Sequence, residues 1–366
     1  MKIGISTFQW ADNYGALLQA HALQSFLKER GHSVQVINYQ PLPPLLWYQK
    51  WLAKTPHRIV LKWEAVYKMN LFNHFREKYL VRTPEVFKSA DELESLSNRF
   101  DLLITGSDQV WNPKWLSQLN GLFDFCFLTF ADPKARRISY AASFGHADKT
   151  TIKEEWQKIV GEKLKDMDAI SVREQSGVSL VRELCGRDDA VQVADPTLLL
   201  ERAYYDNLAG QAKKRNAYLF SYMLHGLEQD TADVCKNISG SLHFKILKCD
   251  AHKTALHIGY TLPATIDWLR DIRDAGFVVT NSFHGVVFCL IFHTPFIVML
   301  IDGEISPMNS RIIDLLTPVG LTHRILRHKN TVSEGIDKEK IDWSQVDNKI
   351  ALMRKNAIGY LNAQQL

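Results

Sequence analysis

KIGISTFQWADNYGALLQAHALQSFLKERGHSVQVINY, residues 2–39, changes its hydrophobic period twice. Lys2 to Phe8 is short and apolar with isoleucines, which predicts a strand. From Ala16 to Arg30, Leu17, Ala20, Leu23 and Leu27 recur at helical spacing, so a helix is expected with one apolar face. Gly31 stands where a helix C-terminus favours glycine, and HSVQVINY then reads as a second strand. Strand, helix and strand in this order form a βαβ unit, with parallel strands and a right-handed crossover.

The alternation continues outward from that unit. FDLLITGS (100–107), RRISYAASFG (136–145), AISVRE (169–174) and AVQVAD (190–195) predict strands, with helices over 151–165 and 176–184. Asp195-Pro196 closes this half, because the residue before proline disfavours helix. Beyond it, AYLFSYML (217–224), HFKILKC (243–249), GFVVTNS (276–282) and PFIVMLI (295–301) predict strands. Helices are expected over 229–239, 266–274, 284–293, 309–317 and 343–363. The expected fold class is α/β: two Rossmann-like domains, 1–195 and 196–366, facing each other across a cleft. In such sheets ligands sit beyond the carboxyl ends of the strands.

Composition narrows the function classes. The 366 residues are 46% hydrophobic and 23% charged, with a net charge of +4, ordinary for a globular chain and too small to imply nucleic-acid binding. Cys126, Cys185, Cys235, Cys249 and Cys289 are odd in number and include no C-x-x-C pair, which argues against a disulfide framework or a zinc site. Free thiols fit a reducing cytoplasm. MKIGISTF lacks the charged and apolar regions of a signal peptide, and apolar stretches of about ten residues are too short to span a bilayer. A cytoplasmic protein is expected.

Residues 42–82 depart from the alternation. They carry eight Lys or Arg against Glu64 and Glu77, interleaved with Trp47, Trp51 and Trp63. Two readings stand: a helical insert lying on an anionic membrane surface, or helices packed over the sheet with a solvated basic face.

Four polar clusters fall where strands end. Asn13-Tyr14-Gly15 opens a helix whose amides can hold an anion, or it is a cap and a tight turn. TGSDQVWNP (105–113) has Ser107, Asp108 and Asn112 around Trp111, whose flat face is of the kind sugars stack on; a plain turn would need only Gly and Asp. In SVREQSG (171–177), Arg173 follows a strand and can grip a carboxylate or phosphate, or pair with Glu174. In VVTNSFHGVVFCLIF (278–292), a polar island interrupts an apolar run: Asn281, Ser282 and Phe283 lead into His284, at the start of a helix. The positive helix end there tends to lower a histidine pKa, which suits proton exchange near neutral pH. A satisfied core histidine is the alternative.

NYGALLQAHALQ, DLLITGSDQVWNP, SVREQSG and VVTNSFHGVVF occur in the order and at the separations found in the polysaccharide pyruvyl transferase family. The chain resembles that family from near residue 1 to about residue 320, including VADPTLLL and NSRIIDLL. The resemblance implies a GT-B-like fold. It also implies transfer of the pyruvyl group of phosphoenolpyruvate to a sugar of a cell-surface polysaccharide or its precursor, forming a cyclic ketal and releasing phosphate. His284 matches the family's histidine of donor binding and proton transfer, Arg173 an arginine proposed to hold the donor anion, and Asp108 a polar cleft position. Members often carry an arginine two residues before the histidine; this chain has Ser282 there, and Arg311 is a candidate replacement.

The residues assigned to the donor are thus Arg173, Asn281, Ser282, Phe283, His284, Asn13, Tyr14 and Gly15, and those assigned to the acceptor are Ser107, Asp108, Trp111 and Asn112. Ketal formation needs a proton at the methylene carbon and a base for the sugar hydroxyls, roles open to His284 and Asp108. No cofactor and no metal are expected, since no His, Asp and Glu cluster is evident. The acceptor sugar can be lipid-linked or nucleotide-linked. Competing readings are a GT-B glycosyltransferase, with Glu304 on a ribose, and a non-catalytic sugar- or anion-binding homologue.

Overall fold

The computed structural model describes residues 1–41, 56–116, 121–145, 149–212, 217–224, 228–250, 259–300, 309–326 and 335–366. Residues 42–55 of the basic segment, and Glu304, lie outside the described residues. By internal contacts the chain divides into two units. One is Met1–Asp12 with Ala16–Leu199 and Met353–Leu366; the other is Asn13–Gly15 with Leu200–Leu352.

The first unit holds β1 (Lys2–Ser6), most of α1 (Tyr14–Glu29), β2 (Ser33–Val36), α2 (Pro56–Tyr79), β3 (Leu102–Thr105) and β4 (Arg136–Ser139). These are followed by α3 (Glu154–Lys165), β5 (Ser171–Val172), α4 (Gln175–Cys185) and β6 (Val191–Gln192). Every pairing is parallel, in the order β2-β1-β3-β4, with β5 and β6 joined to β4 through the bridges Ile138–Ala169 and Ala142–Val172. All of β3 and all of β1 but Lys2 are buried, as expected of parallel strands covered on both faces. Strand order reverses between β1 and β3, and the carboxyl ends at such a switch point form the usual ligand crevice.

The described side chains of α2 show what half of the basic segment does. Phe72, Phe75 and Arg76 are buried and Tyr79 half-buried, one face at helical spacing. That face lies on α1, where the rings of Phe75 and Tyr79 stand 5.8 and 5.9 Å from the His21 ring. Gln24 ties the end of α2 down by donating to the Val81 carbonyl (2.7 Å) and accepting from its N–H (2.9 Å). This half of the segment is packed over the fold. Among the described residues, no helix is long and apolar enough to cross a membrane.

The second unit holds α5 (Arg202–Ala209), β7 (Tyr218–Met223), α6 (Glu228–Leu242), β8 (Lys245–Asp250), β9 (Tyr260–Thr261), α7 (Thr265–Arg273) and β10 (Phe277–Thr280). Then come α8 (Phe283–Phe292), β11 (Phe296–Met299), α9 (Ser310–Leu316), β12 (Ile325–Leu326) and the start of α10 (Trp343–Ala363). Its sheet is parallel in the order β12-β11-β10-β7-β8-β9. Counted from β7 as the first strand, that is the 3-2-1-4-5-6 order of dinucleotide-binding folds, with its switch point between β7 and β10. All ten residues of α8 are buried. A helix apolar all round belongs inside a core, where each of its large side chains contributes about 1.5–3 kcal/mol by leaving water.

Candidate functional site

The polar island of residues 280–285 falls on the switch point of the second unit. Thr280 ends β10; its hydroxyl donates to the Tyr222 carbonyl on β7 (2.7 Å) and accepts from the Ser282 N–H (3.0 Å). Asn281 accepts the Leu224 N–H just past β7 (2.7 Å), so its side chain spans the point where strand order reverses. Ser282 is the N-cap of α8 and accepts from the Gly285 N–H at 3.2 Å. Three of the four polar side chains therefore knit strand to helix.

The fourth is His284, in the first turn of α8 and 8% exposed. Its ring is held edge-on by Phe283, centroids 5.2 Å apart, and is backed by Gly15: a Cβ placed on Gly15 would fall 2.0 Å from Nδ1. Only a residue without a side chain permits that approach. Tyr14 secures the glycine. Its ring stacks on Trp268 (5.0 Å, 8°), meets Tyr222 edge-on (5.7 Å), and its hydroxyl donates to the Pro263 carbonyl (2.8 Å). Trp268 in turn meets Phe288 of α8 edge-on at 5.8 Å. Burial, reinforced by Cys249 and Tyr222, holds the Tyr14 phenol well above its ordinary pKa, so it is a neutral anchor. Asn13 is half-buried beside it in sequence. The structure thus brings Tyr14, Gly15, Phe283 and His284 together. Arg311, proposed to replace the arginine absent at 282, is buried on α9, which packs against α8.

A second polar network stands at the carboxyl ends of β3, β4 and β5 in the first unit. Arg173, whose side chain is 2% exposed, donates from Nε to Glu174 (3.0 Å) and from Nη1 to Asp195 (3.2 Å). Asp195 also accepts from the Ser107 hydroxyl (2.8 Å), while its other oxygen accepts from the Thr197 hydroxyl and N–H (2.7 and 3.0 Å). Glu174 accepts from the Ser143 hydroxyl at 2.8 Å. Burial works to lower the Arg173 pKa, but Glu174, Asp195 and Asp108 more than offset it and raise the pKa, so the guanidinium stays cationic. The pairing with Glu174 anticipated as an alternative is present, and Asp195 joins it. In the sequence, Asp195 signals only the end of a domain, before Pro196.

The acceptor residues diverge in this network. Asp108 is half-buried and sits at φ +77°, a left-handed conformation that asparagine and aspartate tolerate better than most residues. Its carboxylate accepts from the Gln109 N–H (2.9 Å). Ser107 is buried against Asp195, and Asn112, also buried, donates to Gln109 (2.6 Å) and accepts from the Lys114 N–H (3.1 Å). The expectation for Trp111 is corrected. It is fully buried, stacked on Phe127 (5.6 Å, 7°), and donates its indole N–H to the Cys126 carbonyl (3.3 Å). The ring is spent on the core because Phe127, stacked on it, and Phe144, tilted at 5.1 Å, supply apolar surface that outweighs the polar residues beside it in sequence.

Two parallel sheets with polar clusters at the carboxyl ends of their strands define the fold class. A UDP-GlcNAc 2-epimerase from Methanocaldococcus jannaschii in complex with UDP-GlcNAc and UDP is similar in fold, with a TM-score of 0.52 at 12% identity over 97% of this chain and 93% of that one. Another UDP-N-acetylglucosamine 2-epimerase gives 0.51 at 9% identity over 98% and 94%. The fold is of the GT-B type. No curated protein matches in sequence. The model of the polysaccharide pyruvyl transferase family matches residues 13–303, and the chain belongs to that family.

Proposed function

We propose that the protein transfers the pyruvyl group of phosphoenolpyruvate to two hydroxyls of a sugar in a polysaccharide or its precursor, forming a ketal and releasing phosphate. The observation that carries this reading is the seating of His284: in the first turn of α8, at the switch point between β7 and β10, and against Gly15. Family membership supplies the reaction class; the placement of the imidazole supplies the group that moves the proton.

In this reading His284 delivers a proton to the methylene carbon, which leaves positive charge on the neighbouring carbon. A sugar hydroxyl attacks that carbon and gives up its proton, the C–O bond to phosphate breaks as phosphate leaves with its electron pair, and a second hydroxyl closes the ketal as its proton passes to the departing phosphate. Asp108 is assigned to accepting a proton from, or orienting, a sugar hydroxyl. The donor bears a carboxylate and a phosphate, so cations and oriented amides suit it. Arg173 is the proposed cation of the first unit and Arg311 that of the second, where Ser282 serves as a cap. The acceptor is assigned as a lipid-linked or nucleotide-linked sugar. The test is phosphate release from phosphoenolpyruvate with a panel of free, nucleotide-linked and lipid-linked sugars. Release with one acceptor class, and a ketal carbon in the product by NMR, supports the reading; no release with any of them contradicts it.

A further inference from the structure

We infer that Arg76, from the basic segment, is a positioning residue that sets the loop delivering Asn13, Tyr14 and Gly15. Its side chain is 4% exposed. Nε donates to the Gln9 carbonyl (2.7 Å), and Nη2 donates to the carbonyls of Trp10 and Ala11 (both 2.8 Å) and to the Asp12 carboxylate (2.9 Å). Nη1 donates to Asn73 one helical turn back (2.8 Å). One guanidinium therefore bonds four consecutive residues, and these are the four that directly precede Asn13.

Such an arrangement exceeds what chain coverage requires. A buried cation is costly unless its donors are met, and three of the partners here are main-chain carbonyls that reach one fork only in one loop conformation. A planar guanidinium can serve divergent acceptors at once, whereas a lysine ammonium is a point charge and cannot span them. The base of the fork is firm, because Phe72 and Phe75 are buried and the end of α2 is tied to α1 at His21 and Gln24. The loop also lies at the carboxyl end of β1, beside the switch point of its sheet. Gln9 adds a second tie by donating to the Tyr39 carbonyl at 3.0 Å. The loop thus enters α1 in one conformation, with Gly15 presented to the His284 ring. The catalytic consequence rests on the reading of His284 given above; the positioning itself does not.

The experiment compares wild type, Arg76→Lys and Arg76→Met, with Lys78→Met as an exposed neighbour, by amide hydrogen exchange and by phosphate release. Exchange at residues 9–15 is expected to quicken about tenfold or more in both Arg76 variants, with the sheets unaffected. The kcat is expected to fall about 100-fold per folded molecule, as when a reacting group is misplaced by an ångström, with Lys78→Met unchanged. A role in stability alone would lower Tm and leave kcat per folded molecule intact, which overturns the catalytic consequence. Wild-type exchange at 9–15 in Arg76→Met overturns the positioning whether or not phosphoenolpyruvate is the substrate. If neither Arg76 variant folds, Asp12→Ala, which removes only the part-exposed carboxylate partner, is expected to quicken exchange at 9–15 to a smaller degree. Unchanged exchange in that variant overturns the inference.

Discussion

Gly15 and His284, 269 positions apart in the chain, lie so close that a methyl group on the glycine would stand 2.0 Å from the imidazole Nδ1. Both residues belong to the second unit, where the contact sets Gly15 against the first turn of α8. It gives the polar island a purpose that hydrogen bonding of the turn does not supply.

Gly15→Ala is therefore expected to displace the His284 ring rather than merely crowd it. Overpacking of this kind costs about 1–3 kcal/mol, and misplacement of a reacting group costs about 100-fold in rate. Steady-state phosphate release alongside a urea melt checks both. A variant with normal kcat would show that the ring can move without consequence.

Arg173 presents a different test, because it is held by two carboxylates. Removing the guanidinium leaves Glu174 and Asp195 buried without their cation, so Arg173→Met is expected to lose about 3–5 kcal/mol in a denaturant titration. Arg173→Lys keeps a charge and is the better probe of the donor: its KM for phosphoenolpyruvate is expected to rise about tenfold or more while the fold persists. An unchanged KM would confine Arg173 to holding its carboxylates.

Much of the fold was legible in residues 2–39 and in the alternation that follows, since period changes from two to 3.6 are local. Strand order was not, because the pairing of β1 with β3 joins segments about a hundred residues apart, and that of β7 with β10 segments about sixty apart. The site divided along the same line. His284 stood out as a polar group in an apolar run, whereas nothing near Tyr14 announces that it stacks on Trp268. Trp111 misled because its sequence neighbours are polar, while its spatial neighbours are phenylalanines. Arg76 was hidden among seven other basic residues of its segment.

Ser282 and Arg311 test how this chain manages without an arginine two residues before the histidine. Ser282→Ala removes the N-cap of α8 and is expected to cost about 1 kcal/mol with a modest loss of activity. Arg311→Lys is expected to raise KM for phosphoenolpyruvate with little change in kcat. Isothermal titration with inorganic phosphate gives an independent check, since weaker phosphate binding should follow the same variant.

His21 predicts a pH dependence of stability. Burial holds its pKa below the ordinary value of 6.5, with the Tyr79 carbonyl opposing and Lys28 assisting, so the folded ring stays neutral. As pH falls below about 6.5 the unfolded chain takes a proton that the folded one resists, and stability declines until the folded pKa is passed. Above that window the contribution is constant. The difference in Tm between wild type and His21→Asn, followed from pH 7.5 to 5, should shrink as pH falls, because asparagine keeps a donor for the Tyr79 carbonyl without titrating. A constant difference would contradict the assignment.

The central claim is that His284 moves the proton in pyruvyl transfer. It is tested most directly by phosphate release from phosphoenolpyruvate, with the accepted sugar, in wild type and His284→Gln at matched folded concentration. The account predicts release by the wild type and a loss of about 100- to 10,000-fold in the variant. Near-normal turnover by His284→Gln would contradict it.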